Sequence, residues 1–179
     1  MPLSEYRRKR RSSVGSGKNG PRFVIQHHAA RSDHYDFRLE IEGVLVSWAI
    51  PKGPSTNPGD RRMARRTEDH PLDYAGFEGV IPEGEYGAGA VIVWDRGSYA
   101  NATERDMAEC LTRGHLSFRL QGEKLHGVFA LTRIREGKDE TWLLVKRRDE
   151  DADARRKPVK SQPESVLSGR KLDDLDESS

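Results

Sequence analysis

The feature that most constrains the fold is a series of short apolar runs, broken by glycine, proline and aspartate, between Pro21 and Arg148. These runs are rich in β-branched and aromatic residues, so they predict strands rather than helices. Two of them, 35–41 and 44–50, flank Glu42-Gly43, which predicts a hairpin with a tight turn. Further strands are expected at 22–26, 89–94, 116–120, 127–133 and 141–146. The pattern predicts a mostly β protein, a small closed or partly open antiparallel β-barrel.

One segment, Ala102–Gly114, has the pattern of a helix, because apolar residues recur in it at helical spacing and a glycine ends it. Its apolar face would consist of Met107, Cys110 and Leu111, and its N-cap would be Asn101 or Thr103. We therefore expect one or two short helices beside the barrel.

The two ends differ in composition from this core. Residues 1–22 carry seven lysines and arginines against one acid, Glu5, which predicts a flexible, disordered basic N-terminal arm at 1–20. Residues 149–179 carry nine acids and six bases with almost no apolar periodicity, which predicts a disordered acidic C-terminal tail or linker. The chain is thus expected to consist of the arm, a barrel domain at 21–148 and the tail at 149–179.

Composition also excludes several classes of protein. No apolar run reaches 18 residues, and the basic N-terminus lacks the apolar stretch of a signal peptide, so we expect a soluble, cytoplasmic protein with no membrane association. The single cysteine, Cys110, excludes an internal disulfide framework and a cysteine-rich zinc site. A length of 179 residues is typical of one compact domain, and we expect a monomer.

The densest chemical signal lies in residues 26–38. On a strand, His34, Asp36 and Arg38 share one face, and His28 can return to them across the intervening loop. Two imidazoles and a carboxylate suit a divalent transition metal, Mn, Fe or Zn rather than Mg or Ca. Spacing alone leaves a second interpretation open, in which these are surface or hydrogen-bonded groups on a polar strand face.

Other segments supply cations and candidate acids. Lys52 lies in a rigid Pro-Lys-Gly-Pro turn, and residues 60–66 contain four arginines, whose planar groups suit phosphate. A solvated lysine and a solvated charged face are the alternatives. Residues 68–89 add His70, a candidate ligand or acid, and Tyr74, for which partial packing in the core is the alternative.

Four of these segments, 26–38, 48–55, 68–89 and 94–97, strongly resemble the 3′-phosphoesterase domain of bacterial DNA ligase D, the multifunctional enzyme of non-homologous end joining. The resemblance covers the predicted core, from Pro21 to about Arg148. It implies an Mn²⁺-dependent enzyme, with Zn²⁺ or Co²⁺ as alternative metals. That enzyme would remove a 3′-terminal ribonucleoside and then the 3′-phosphate, leaving a 3′-hydroxyl for ligation in double-strand break repair.

The resemblance also implies roles for particular residues and partners. The metal ligands would be His28, His34 and Asp36. The phosphate-binding and catalytic groups would be Arg38, Lys52, Arg62, His70 and Tyr74, with Gln26 as a further active-site position. The expected partners are primer-template or duplex DNA 3′ ends, a DNA ligase and the end-joining machinery.

The sequence departs from the family pattern at two places. His27 stands where the motif commonly has lysine; on a strand it faces away from His28, so we assign it a structural role. Arg65-Arg66-Thr67 replaces more apolar residues, which implies stronger DNA binding or altered strand packing.

These observations are compatible with three functions. The first is the end-healing phosphoesterase. The alternative is an inactive DNA-end-binding scaffold that recruits a ligase, and the third is a phosphoesterase for another substrate, such as a 2′,3′-cyclic phosphate. Residues 163–171 resemble the linker to a ligase domain, which fits either a stand-alone phosphoesterase or a piece of a larger ligase.

Overall fold

The structure, a computed structural model, describes residues 20–85 and 87–175 and consists mainly of nine strands. The strands are β1 (Arg22–Ala29), β2 (Asp33–Ile41), β3 (Val44–Ile50), β4 (Arg62–His70), β5 (Gly79–Ile81), β6 (Gly89–Asn101), β7 (His115–Gly122), β8 (His126–Arg135) and β9 (Thr141–Lys146). The helices are α1 (Met107–Arg113) and α2 (Pro158–Ser161), with 3-10 helices at Leu72–Gly76 and Leu172–Asp174.

Eight of the strands close into an antiparallel barrel. They follow one another in the order β1-β2-β3-β4-β9-β8-β7-β6, and pairing of β1 with β6 closes the ring. The short strand β5 pairs with the start of β6 outside this ring. The predicted antiparallel barrel is confirmed, and it is closed rather than partly open. The predicted hairpin is also confirmed, since Ile41 pairs with Val44 across the Glu42-Gly43 turn.

The barrel is filled by one set of alternating side chains. On β2 the odd-numbered residues from Tyr35 to Ile41 point inward, where they pack with a shared aromatic core. That core includes Phe23, Trp48, Trp94, Phe118, Phe129 and Trp142, all at most 1% exposed. Because strand side chains alternate between faces, the even-numbered residues of β2 point outward. The polar residues predicted to carry chemistry therefore lie outside the barrel.

A second, smaller apolar cluster covers part of this outer face. It consists of Val24, Leu45, Leu72 and Val93, with Tyr74, Ala75 and Val166 packed against it. Leu72 comes from the 3-10 helix in the excursion between β4 and β6, residues 71–88. This small core fixes the excursion against the barrel wall and creates a sheltered space on the outside of β1 and β2.

The predicted helix is present but shorter than 102–114. The strand β6 continues to Asn101, whose side chain accepts a hydrogen bond from the backbone N–H of Thr103 (2.8 Å) and so forms a turn. Asp106, rather than Asn101 or Thr103, is the N-cap, because its carboxylate accepts from the backbone N–H of Glu109 (2.9 Å). Gly114 ends α1 with a φ of 86°, in agreement with the prediction.

Residues 149–179 are predicted to form a disordered tail. In the structure, which describes this segment as far as residue 175, it packs on the barrel. The indole N–H of Trp94 donates to the carbonyl of Gln162 (2.8 Å), and the Lys124 ammonium donates to the same carbonyl (2.8 Å). Nearer the barrel, Asp149 pairs with the fully buried ammonium of Lys146. Main-chain carbonyls and single ion pairs provide these contacts, so hydrophobic periodicity gives no sign of them. The predicted arm at 1–20 lies outside the described residues, apart from Gly20.

Within the described ranges, no helix has the length and apolar character needed to cross a membrane.

Candidate active site

Three side chains converge on the outer face where β1 meets β2. His28 and His34 face each other across the two strands, with ring centroids 4.9 Å apart. The Asp36 carboxylate lies between them, 3.5 Å from Nδ1 of His28 and 3.2 Å from Nε2 of His34. One donor atom from each residue falls within 4.8 Å of the other two. The structure thus brings together the three residues that the sequence predicts as metal ligands.

Backbone carbonyls orient both imidazoles. Nε2 of His28 lies 2.7 Å from the carbonyl oxygen of Gly87, and Nδ1 of His34 lies 3.0 Å from that of Ser32. A carbonyl can only accept, so each of these ring nitrogens carries the proton. The other nitrogen of each ring faces Asp36, and in the neutral ring it carries the lone pair. Gly87 has a φ of 77°, a left-handed conformation that glycine adopts without strain.

This donor set fits a divalent transition metal. Two imidazole lone pairs and a carboxylate oxygen repel one another unless a cation, a proton or a metal, lies among them. A proton on the rings has this effect on Asp36: burial opposes its ionisation, but hydrogen bonds from His28 and His34 in their protonated forms and the charge of Arg38 hold the pKa of its carboxyl well below the ordinary value. Among the described residues this is the one grouping with metal-ligand geometry.

Contacts to all three of its guanidinium nitrogens hold Arg38 beside this cluster. Its Nε donates to the side-chain oxygen of Gln26 (2.6 Å), and its Nη1 donates to the hydroxyl of Ser47 (2.8 Å). Its Nη2 lies 3.6 Å from a carboxylate oxygen of Asp36, and the guanidinium carbon lies 5.0 Å from the centroid of the Tyr74 ring. The side chain is 4% exposed. A cation fixed in this way is preorganised to stabilise a negatively charged ligand.

His70 lies on the other side of Arg38, at the end of β4. Its Nδ1 is 3.0 Å from Nη1 of Arg38, which can only donate, and 3.0 Å from the carbonyl of Glu68, which can only accept. The two contacts require opposite tautomers, so Nε2 is a donor in one and an acceptor in the other. Burial and the charge of Arg38 lower the pKa of His70, so the ring is neutral at pH 7.

Tyr74 and Gln26 connect these groups to the excursion. Tyr74 stacks on His70 (centroids 4.7 Å apart) and on Phe77 (5.2 Å), and burial raises the pKa of its phenol, which stays protonated at neutral pH. The amide nitrogen of Gln26 donates to the carbonyls of Tyr74 (3.0 Å) and Phe77 (3.2 Å). Gln26 is fully buried, so it positions Arg38 and the excursion from behind.

A cavity of about 970 Å³ opens onto this cluster. Six of the nine predicted site residues line it: His28, His34, Asp36, Arg38, His70 and Tyr74.

Lys52 and Arg62 lie elsewhere, around a separate cavity of about 390 Å³ that they share with Arg156, Lys157 and Lys160. Arg62 is the first residue of β4 and pairs with Leu144, a core residue, so it lies at the end of the barrel rather than on the outer face of β2. Lys52 follows the end of β3 in the adjoining turn. A direct role for these two residues at the reacting phosphate stays a prediction.

Residues 26–133 match the family described as the DNA ligase D 3′-phosphoesterase domain. The chain belongs to this family. The match starts at Gln26, on β1, and ends at Arg133, on β8. It therefore contains Arg38, His70, Tyr74 and the predicted metal cluster, which consists of His28, His34 and Asp36.

Two curated members of the family illustrate the similarity. The chain is 49% identical to the multifunctional non-homologous end joining protein LigD of Pseudomonas aeruginosa, over 96% of this chain and 22% of that protein. It is 45% identical to the multifunctional non-homologous end joining DNA repair protein LigD of Mycobacterium tuberculosis, over 79% of this chain and 19% of that protein. The chain therefore spans about a fifth of the length of these relatives.

One contact of this phosphoesterase-family site was missed by the sequence analysis although the sequence contains the signal for it. Ser47 is buried and accepts a hydrogen bond from Arg38, its cross-strand partner. The two-residue turn at Glu42-Gly43 fixes the hairpin register, and counting back from it places Ser47 opposite Arg38. The carbonyls of Ser32 and Gly87 carry no such signal, because any residue supplies a carbonyl.

The lowered pKa of His70 predicts a pH effect on stability. Between the folded pKa of His70 and 6.5, the unfolded chain binds more protons than the folded one, so the free energy of unfolding falls as the pH drops through this window. Thermal melts of chelator-treated protein from pH 7 to pH 5, compared with His70→Gln, would test this. We expect a shallower pH dependence in the variant; parallel curves would show that His70 does not titrate as inferred.

Proposed function

We propose that the chain is a metal-dependent phosphoesterase that heals DNA 3′ ends in non-homologous end joining. In this reaction it removes a 3′-terminal ribonucleoside and then the remaining 3′-phosphate, which leaves a 3′-hydroxyl. The family supports a phosphoesterase, and the names of the relatives support a role in end joining. The observation that carries the proposal is the set of three lone-pair donors, with both imidazoles oriented by backbone carbonyls, directly beside the fixed guanidinium of Arg38.

His28, through Nδ1, His34, through Nε2, and Asp36 would hold the metal, with Mn²⁺ as the expected ion. When bound, the ion supplies positive charge that polarises a phosphoryl oxygen. A phosphoryl transition state spreads negative charge over its equatorial oxygens, so the fixed guanidinium of Arg38 stabilises it without reorganising. The contacts of Gln26 and Ser47 hold Arg38 in place for this purpose.

His70 and Tyr74 supply hydrogen bonds on the opposite side of Arg38. The protonated phenol of Tyr74 and the Nε2–H tautomer of His70 are both donors, and both residues line the cavity. In each step the oxygen of a water molecule bonds to phosphorus as the P–O5′ bond (nucleoside removal) or the P–O3′ bond (phosphate removal) breaks, and the departing alkoxide takes up a proton. A bound phosphate raises the pKa of the neighbouring His70 ring by its charge, which makes His70 the better candidate for that proton.

The preference for a ribonucleotide end has a chemical basis in the 2′-hydroxyl. The scissile phosphorus is joined to the terminal ribose through O5′, so this hydroxyl is not its nucleophile. The 2′-hydroxyl of that ribose can form a hydrogen bond to the site, which a deoxynucleotide cannot. A terminal deoxynucleotide at equal concentration should therefore be trimmed more slowly. Equal rates would remove the 2′-hydroxyl from the mechanism.

The proposal is tested by a gel assay on a labelled primer-template with one 3′-terminal ribonucleotide. We expect conversion first to a shortened 3′-phosphate end and then to a 3′-hydroxyl end with Mn²⁺, and none with chelator; parallel reactions contain Mg²⁺ or Zn²⁺. Duplex binding without trimming under any metal would favour the inactive scaffold. Hydrolysis of a 2′,3′-cyclic phosphate alone would favour a different phosphate ester as substrate.

A further inference from the structure

The two arginines at 65–66 point to opposite faces of β4. Arg66 pairs with Trp48 across the strands and lies over its ring, with the guanidinium carbon 5.8 Å from the centroid. It also pairs with Asp69 (3.2 Å) and Glu140 (3.5 Å). Arg66 is therefore a packing residue. Arg65 points to the other face, because strand side chains alternate.

That other face is the one that carries the metal cluster. Ser47, which contacts Arg38 on the outer face, pairs with Thr67, and Ala49 pairs with Arg65. Thr67 lines the active-site cavity, and Arg65 is the next outward position along β4, about 7 Å away. Arg65 therefore lies directly beyond the wall of the cavity.

Pairing across the sheet also places Arg65 in one row with a predicted metal ligand. Asp36 pairs with Ala49 on β3, and Ala49 pairs with Arg65 on β4. Two strand spacings separate the backbone of Asp36 from that of Arg65, about 10 Å. The residue between them ends in a single methyl group, so no long side chain interrupts the surface from the cluster to Arg65.

The Arg65 side chain is exposed and makes no hydrogen bond or ion pair with any residue that the structure describes. Arg66, by contrast, uses its charge internally. An arginine whose planar donors face solvent beside a phosphoester-processing site is suited to bind a second phosphate.

We propose that Arg65 binds an internucleotide phosphate of the strand whose 3′ end lies at the metal cluster. The inference rests on the proposed function, and it specifies the substrate as the end of a polynucleotide rather than a small phosphate ester. Successive nucleotides of a DNA strand advance about 3.4 Å along the helix axis, so about 10 Å falls within the first three internucleotide phosphates. Thr67 and Ala49 provide the small surface over which the backbone passes.

The test compares Arg65→Ala with Arg119→Ala, which removes the same charge from an exposed position on β7, across the barrel. For a primer-template with a 3′-phosphate, Arg65→Ala should raise Kd and KM about tenfold near 0.1 M salt and lower the salt slope of binding by about one. Its kcat should be unchanged, and a mononucleotide 3′-phosphate should be hydrolysed as by the wild type. Arg119→Ala should match the wild type throughout.

A second measurement locates the contact. Three DNA substrates each carry one neutral methylphosphonate linkage, at the first, second or third position from the 3′ end. At one of these positions, the neutral linkage should raise Kd for the wild type but should not raise Kd further for Arg65→Ala. The inference would be overturned if each of the three neutral linkages weakened binding of Arg65→Ala as much as it weakens binding of the wild type. It would also be overturned if Arg65→Ala and Arg119→Ala behaved alike. Failure of the wild type to process any 3′ end would instead refute the proposed function, while the binding measurements would still test Arg65.

Discussion

Replacement of His34 with alanine is expected to abolish the metal-dependent reaction and leave the barrel folded. The variant removes one of three converging donors, so metal affinity falls, and the loss of preorganised charge at the phosphate lowers kcat by on the order of 10³-fold or more. The His34 side chain lies on the outer face and takes no part in the aromatic core, so stability should change little. Calorimetric titration with Mn²⁺, the gel assay and a thermal melt would measure the three quantities.

The matched control is His27→Ala, which removes an imidazole from the residue adjacent to another predicted ligand. His27 faces the opposite way from His28, stacks on Tyr35 (centroids 4.1 Å apart) and lies 2.9 Å from a carboxylate oxygen of Asp33. Its loss should leave Mn²⁺ affinity unchanged. A His34→Ala protein that keeps the affinity of the wild type would show that the metal assignment is wrong.

Removal of residues 149–179 is expected to destabilise the domain strongly, although composition alone marks these residues as dispensable. The ammonium of Lys146 is completely buried, and its carboxylate partner is Asp149. Leaving a buried charge unpaired costs about 3–5 kcal/mol, which corresponds to a fall in Tm of about 10 °C or more for a domain of this size. A chain that ends at Arg148 should show this loss in a thermal melt.

Two further proteins separate the causes of that loss. A chain that ends at Arg170 keeps the Lys146–Asp149 pair and the hydrogen bonds to Gln162, so its Tm should stay near that of the full chain. Asp149→Asn keeps the whole segment and removes only the negative charge, and should lower Tm by part of the same amount. If the chain ending at Arg148 melts like the full chain, the segment does not belong to the folded unit.

Much of the barrel was predictable because its strands alternate. The odd-numbered residues of β2 are apolar and the even-numbered ones polar, so the sequence indicates both the strand and its buried face. The strand β9 coincides with the predicted 141–146. Closure of the ring depends instead on the pairing of β1 with β6, which are about seventy residues apart. No local pattern specifies that pairing.

Two of the segments that the sequence analysis missed are held in place by charged residues. The sequence of β4 shows no alternation, because Arg66 occupies an inward position over Trp48 and is neutralised by Asp69 and Glu140. Residues 60–66 were therefore interpreted as candidate phosphate-binding arginines, with a solvated charged face as the alternative, and not as the start of a strand. Residues 149–175 pack mainly through ion pairs and main-chain hydrogen bonds. Val159 and Val166 contact the apolar clusters, but two isolated valines form no apolar periodicity.

The candidate site was also predictable only in part. His34, Asp36 and Arg38 were placed on one face correctly because they are spaced by two on a single strand. Arg38 and His70 come together only through the order of β2, β3 and β4. The family resemblance grouped these two residues by role, and periodicity gave no sign of their proximity. Lys52 and Arg62 fall at the end of the barrel because each lies at or beyond the end of its strand.

The location of the site outside a closed barrel has a consequence for how such a domain can diversify. Along β2, the inward-pointing side chains form the core and the outward-pointing side chains form the candidate site. Folding and chemistry therefore depend on alternate residues of one strand. The excursion at 71–88 can gain or lose residues without reopening the ring of strands. Related chains can therefore differ in the residues that line the cavity while they keep the same apolar core.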